Sequence, residues 1–297
     1  MPKKKVLAQA LNLGYGSLTL NDIQNALRMR QDTIYGHKYY LDHITTQKAV
    51  RDEEKMLEFA VKGKGICVPI NPEYRVKQGF LNKDQRGAIK HILSTRDQVI
   101  ILEGKAGTGK TSLLKEVSLA AKEKNIQVLA FAVSASASRD VLRKNGFENA
   151  DTLARLLKDK DIQNRAKGKI ILIDEASLVS SRDMNKVFKI AQEGKCRVLL
   201  SGDPMQHSSV QSSDAFNHLI KKAEMPIARV NENLRQRNSP ELKRAVEHFS
   251  KGKSAMGLHT LDKMKSLSVD YQLNPSYIGD IFERIIHETC EEELVII

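Results

Sequence analysis

Val99-Ile-Ile-Leu-Glu-Gly104-Lys105-Ala106-Gly107-Thr108-Gly109-Lys110-Thr111-Ser112 decides how the rest of the chain is read. An apolar run of β type at 99–102 feeds a glycine-rich turn, and a helix-like segment follows from Thr111. Gly104, Gly109, Lys110 and Thr111 fit the spacing G-x-x-x-x-G-K-[ST]. In that setting glycines let successive backbone N–H groups point at an anion, and the helix N-terminus adds its positive dipole end. Lys110 is then placed to reach the β- and γ-phosphates of a nucleotide, and the Thr111 hydroxyl to hold Mg²⁺. The whole loop, residues 104–112, is the candidate ATP cradle.

Composition sets the bounds around this loop. At 297 residues with 41% hydrophobic content the chain can bury cores for two domains of ordinary size. No run approaches the roughly 18 apolar residues a membrane helix needs, so no membrane partner is expected. Cys67, Cys196 and Cys290 are odd in number, widely spaced and without a C-x-x-C pair. They read as reduced thiols of a cytoplasmic protein, with neither a disulfide framework nor a zinc site. A net charge of +12 favours a polyanionic partner. Because the chain has no Trp and only 5% aromatic residues, a surface built mainly on base stacking is not obvious.

Along the chain, residues 1–75 read as a small helical domain, with helices near 18–27 (Asn21 as cap) and 46–61. Pro69 and Pro72 mark the linker that follows. From 76 to 225 helices alternate with near-continuous apolar strands at 99–102, 128–133, 169–174 and 197–201. Strands of that kind, separated by helices, indicate an α/β fold with a parallel sheet covered on both faces, a RecA-like P-loop domain. Its ligands belong at the carboxyl ends of the strands. Residues 226–297 read as a connector and the beginning of a second such domain, with helices at 240–251 and 276–289 and a strand at 293–297.

Three further motifs take their meaning from order. Asp174-Glu175 closes an apolar strand about sixty residues after Lys110, where Asp174 would hold Mg²⁺ through water and Glu175 would polarise the attacking water. Gly202-Asp203-Pro204-Met205-Gln206 closes the next strand, and its amide suits a sensor of the γ-phosphate. Arg235, in Asn233-Leu-Arg-Gln-Arg237, suits an arginine finger. Gln85, opening the helix before the first strand, has the paired donor and acceptor to read an adenine edge, and Asn82 and Asp84 suit caps of that helix.

Taken together, Gln85, 104–111, Asp174-Glu175, Gly202-Asp-x-x-Gln206 and Leu234-Arg-Gln236 make the chain resemble a superfamily 1 helicase of the RecD-like branch. It looks most like the helicase region of conjugative relaxases of the TraA/TraI, MobF type. That resemblance implies an ATP- and Mg²⁺-dependent motor on single-stranded DNA, working with conjugative transfer machinery. It also implies DNA contacts by Ser134, Ser136, Thr152 and Arg155, although 133–138 departs from the commoner Thr- and Lys-containing pattern. The eight histidines show no pair at ligand spacing, so the family's nicking activity is not expected. The later motifs of a second motor domain are not found either. The expectation is a chain cut short in that domain, which does not unwind DNA alone unless a second polypeptide completes the motor. A nucleotide-gated binding module without turnover is the alternative reading; a small-molecule kinase would leave the later motifs without a purpose.

Overall fold

The computed structural model describes residues 2–14, 16–38, 41–105, 107–204, 215–232, 244–245, 248 and 253–263. The chain divides into two compact units. The first comprises Leu7–Ile34 and Ile44–Leu234, and the second Pro2–Val6, Tyr35–His43 and Arg235–Ile297.

The N-terminal segment opens with helices α1 (Lys3–Leu13) and α2 (Leu20–Met29), then strands β1 (Thr33–Lys38) and β2 (Leu41–Thr46), which form a two-stranded sheet. The strands correct the all-helical reading of this stretch. Thr, Ile and Tyr favour extended backbone, but interleaved His, Lys and Asp hide the alternation that would have shown it. The cap of α2 is also corrected, from Asn21 to Thr19, which forms a capping box with Asp22. Helix α3 (Gln47–Lys62) lies where a helix over 46–61 is expected, and Thr46 is its N-cap, its side chain accepting the Ala49 N–H. It buries Met56 and Ala60 in the same core as the central sheet. Asn185 donates to the Asp52 carbonyl, and Glu53 meets His218 at 3.3 Å, which fastens α3 sideways to later helices.

The sheet is built from α4 (Lys83–Ser94), β3 (Val99–Gly104), α5 (Lys110–Glu123), β4 (Val128–Ala132), β5 (Asp151–Thr152), α6 (Leu153–Lys158), α7 (Lys160–Ala166), β6 (Ile170–Asp174), α8 (Ser181–Gly194), β7 (Arg197–Gly202), α9 (Ala215–Lys222) and β8 (Ile227–Val230). Six strands lie in the order β5-β4-β6-β7-β3-β8, and every paired neighbour is parallel. Alternate strand residues divide between two cores, as the pleat requires. Val99, Ile101, Phe131, Ile173 and Leu200 face a core that includes α3, α8 and α9, while Ile100, Leu102, Ala130, Leu172 and Leu199 face one that includes α4 and α5. This is the RecA-like α/β architecture that the alternating pattern indicates. Between β4 and β5 the expected helix is a π-helical stretch, Ala137–Arg143. In the second unit a helix spans Ser254–Lys263; the elements expected at 276–289 and 293–297 lie outside the described residues, as does most of 240–251.

At the foot of the sheet Arg197 is a structural rivet. Its guanidinium donates to the carbonyls of Val68, Thr95 and Asp97, with the shortest contact 2.7 Å, and so ties the linker at 63–72 to the start of β7. At the opposite end Gly202 is held by close approach. A Cβ there would lie 3.0 Å from ring carbons of Phe216 and 3.1 Å from the Ser177 backbone nitrogen. Phe216 is fully buried on α9, so Gly202→Val is expected to lower stability by about 1–3 kcal/mol through overpacking, measured by urea unfolding. An unchanged midpoint would mean that the Phe216 contact has room to relax.

Candidate nucleotide-binding site

The carboxyl ends of β3, β6 and β7 bring the predicted chemistry together. β3 terminates at Gly104 and α5 begins at Lys110, so the intervening loop turns over the end of the strand. Gly109, the N-cap of α5, takes φ +75°, a left-handed conformation that costs an L-residue with a Cβ roughly 1–2 kcal/mol. No side chain caps this helix, so its first N–H groups and its dipole end are turned to whatever the loop encloses. Thr108 is fully buried, and its hydroxyl donates to the Lys105 carbonyl at 2.8 Å.

Lys110 folds back over the loop and donates from Nζ to the carbonyls of Gly104 and, at 3.1 Å, Lys105. Phosphate oxygens can replace these carbonyls as acceptors, because their charge-assisted bonds to the ammonium are stronger. Asp174 stands at the end of β6, and Ser201 Oγ donates to its Oδ1 at 2.9 Å. Register explains the meeting, since Ile173 pairs with Leu200 and the next residues along lie side by side. Sequence inspection missed Ser201; only the strand pairing reveals it. Glu175 follows with φ +54° and ψ +39°, an uncommon conformation for a residue with a Cβ and a form of strain that clusters at functional sites. Burial pushes its carboxyl above the usual range, the neighbouring Asp174 charge adds to this, and Lys110 pulls the other way. Glu175 thus senses both Asp174 and Lys110.

These donors fit ATP with Mg²⁺. Mg²⁺ is held by one or two protein oxygens together with phosphate oxygens and water. The Thr111 hydroxyl, in the first turn of α5, and the Asp174 carboxylate supply hard oxygen donors of that kind. Among the described residues no group of three or more His, Cys, Asp or Glu side chains could hold a metal without such help.

Gln85 is placed differently from its expected use. Fully buried, it forms a capping box with Asn82, its Oε1 accepting the Asn82 N–H at 3.0 Å and its own N–H reaching Asn82 Oδ1 at 2.8 Å. Its Nε2 donates to the Thr108 carbonyl at 2.9 Å. In this structure the amide is a strut beneath the phosphate loop. Asp203 is nearly buried at the end of β7, and Asn217 donates to the Pro204 carbonyl at 3.0 Å, so α9 fixes the start of the turn. Ala106, Gln206 and Arg235 lie outside the described residues.

The residues expected to meet DNA gather beyond β4 and β5, where Ala132 pairs with Thr152. Ser134 and Ser136 are exposed, with hydroxyls 3.2 Å apart. Ser134 also accepts the Ala137 N–H, and Thr152 that of Arg155, in capping roles. Arg155 pairs with Asp151 at 2.7 Å but stays more than half exposed. Local bonds account for each of these four side chains without DNA.

Comparison with known proteins adds a family. A model for an AAA domain matches residues 80–270. The multifunctional conjugation protein TraI of Escherichia coli K12 is 26% identical over 275 residues, which cover 87% of this chain and 15% of that protein. A probable conjugal transfer protein TraA of Sinorhizobium fredii is 24% identical over 184 residues, 60% of this chain and 17% of its own length. The chain therefore spans about a sixth of these relatives. Among solved structures, the replication initiator DnaA bound to AMPPCP and single-stranded DNA is 18% identical, covering 70% of this chain and 53% of its own with a TM-score of 0.30. No described helix is long and apolar enough to cross a membrane.

Proposed function

The chain belongs to the AAA domain family, and from that premise we propose that it binds ATP with Mg²⁺ and hydrolyses it in response to single-stranded DNA, as a helicase-type ATPase of conjugative transfer. The observation that carries this reading is the meeting of Lys110, Asp174 and Glu175 at one edge of the sheet, with Asp174 oriented by Ser201. Backbone N–H groups of the loop and Lys110 bind the phosphates. Thr111 and Asp174 hold Mg²⁺, which when bound neutralises developing charge on the phosphates. Glu175 orients the attacking water and accepts its proton; its raised affinity for a proton suits that task. Gln206 and Arg235 complete the reading as sensor and finger for the γ-phosphate, on the strength of their order in the sequence.

DNA is the coupled ligand because the net charge is +12 and the TraI and TraA relatives are named for conjugation and conjugal transfer. Ser134, Ser136, Thr152 and Arg155 are the proposed contacts, and the capping bonds of Ser134 and Thr152 hold those two hydroxyls in place for phosphate oxygens. Purified protein is expected to hydrolyse ATP faster with single-stranded DNA than without it. The affinity for DNA should fall steeply with salt, by about tenfold or more between 50 and 200 mM if several Lys and Arg contact phosphates. An ATPase rate indifferent to DNA, or a flat salt response, overturns the DNA-coupled reading. Tight DNA binding with no Lys110-dependent turnover would instead identify a binding module.

A further inference from the structure

The sheet order fixes which way a nucleotide must lie across β3. Asp174 and Glu175 end β6, two strands to one side of β3, while β8 borders β3 on the other side. For hydrolysis the γ-phosphate faces Glu175, so the ribose and base leave the loop on the opposite side, over the start of α4 and the end of β8. This direction rests on the nucleotide-site reading above.

Gln85 cannot meet the base there as the structure stands, because it is fully buried and both ends of its amide are engaged. The turn that precedes it is built differently. Leu81 is buried in the core and anchors it, while Arg86 reaches back to donate to the carbonyls of Gln78, Gly79 and Leu81 at 2.9–3.2 Å. Asn82 Nδ2 donates to Glu232 at 2.8 Å, just past β8. These bonds pin the turn at the edge where the base emerges. On it Phe80 stands 66% exposed. Single exposed apolar side chains are ordinary, but this one sits on a clamped turn, two residues from the Asn82–Glu232 bond and five from the Gln85 strut.

We propose that Phe80 is the platform on which the base of the bound nucleotide stacks. An aromatic face offers dispersion and π contact to any base and reads no hydrogen-bonding edge. The site therefore takes ATP and GTP with similar affinity, and the smaller ring of CTP less well. Base recognition belongs to the face presented by Phe80, and Gln85 serves the loop.

The test uses the full chain, which contains no Trp. Binding of ATP, GTP, CTP and inorganic tripolyphosphate, each with Mg²⁺, is measured by calorimetry for the wild type and Phe80→Ala. The expected result is about tenfold weaker ATP binding in Phe80→Ala, with tripolyphosphate affinity within about twofold of wild type. Unchanged tripolyphosphate binding also certifies the variant's fold. In Phe80→Trp the single indole reports stacking directly: its emission should be quenched by ATP and left unchanged by tripolyphosphate. Wild-type affinity for ATP in Phe80→Ala overturns the assignment of Phe80 alone. A wild-type chain that binds neither ATP nor tripolyphosphate overturns the nucleotide site itself, and this inference with it.

Discussion

Lys110→Ala is expected to lower ATP turnover by about a hundredfold or more, the usual scale for removing a group aimed at transition-state charge, while the protein remains folded. The ammonium donates to the carbonyls of Gly104 and Lys105 in the loop. Those carbonyls lose a hydrogen bond when the side chain is cut back, and the cost in stability stays small, about 1 kcal/mol per bond. The loss in catalysis does not stay small. Charge gathers on the γ-phosphoryl oxygens and the leaving oxygen as the bond breaks, and water cannot supply a fixed cation at that place. Lys110→Arg should rescue poorly, since a planar fork differs in reach and shape from a compact ammonium. Steady-state phosphate release together with a melting curve checks this. A Lys110→Ala protein that keeps more than half of the wild-type rate would remove Lys110 from the chemistry.

What could be read from residues alone followed the strength of the local signal. β3, β4, β6 and β7 are apolar on both faces, because each core takes alternate residues, and such strands announce themselves. β5 is two residues long, and a pair of residues has no period to detect. β8 is only four residues long, with Arg229 turned out to meet Glu103 at 3.0 Å, which is still too short for a pattern to show in the sequence. The site divides similarly. The loop and the Asp174-Glu175 pair stand out because contiguous residues make them. Ser201 does not, because its partner Asp174 is brought beside it only by strand register. Gln85 shows a third case. Its position at the start of α4 was legible, as was the capping by Asn82, yet only the fold shows that the Thr108 carbonyl occupies its amide.

Glu175→Gln separates binding from chemistry, and its effect should equal or exceed that of Lys110→Ala. A general base contributes about 10²- to 10⁴-fold, so turnover should drop by a factor in that range while ATP binding is kept. The reason lies in the placement of the carboxyl. Burial and the adjacent Asp174 make its charge uncomfortable, which raises its appetite for a proton from water. Glutamine keeps the shape and cannot accept that proton. Removing the charge also relieves repulsion against incoming phosphates, so nucleotide affinity should match or exceed that of the wild type. The same relief keeps the melting temperature in nucleotide-free buffer at or above the wild-type value, because the carboxylate is paid for in desolvation and the amide much less so. The left-handed backbone at this residue gives a second handle. Glu175→Gly relaxes the strain and removes the base together, so it should be inactive yet at least as stable, whereas a base located elsewhere would leave both variants hydrolysing ATP. Rates, affinities and melting curves measured on the same three proteins therefore distinguish a catalytic carboxylate from one that only completes the turn after β6. Full turnover by Glu175→Gln would transfer the proton-accepting role to another group and leave the phosphate loop as a binding device.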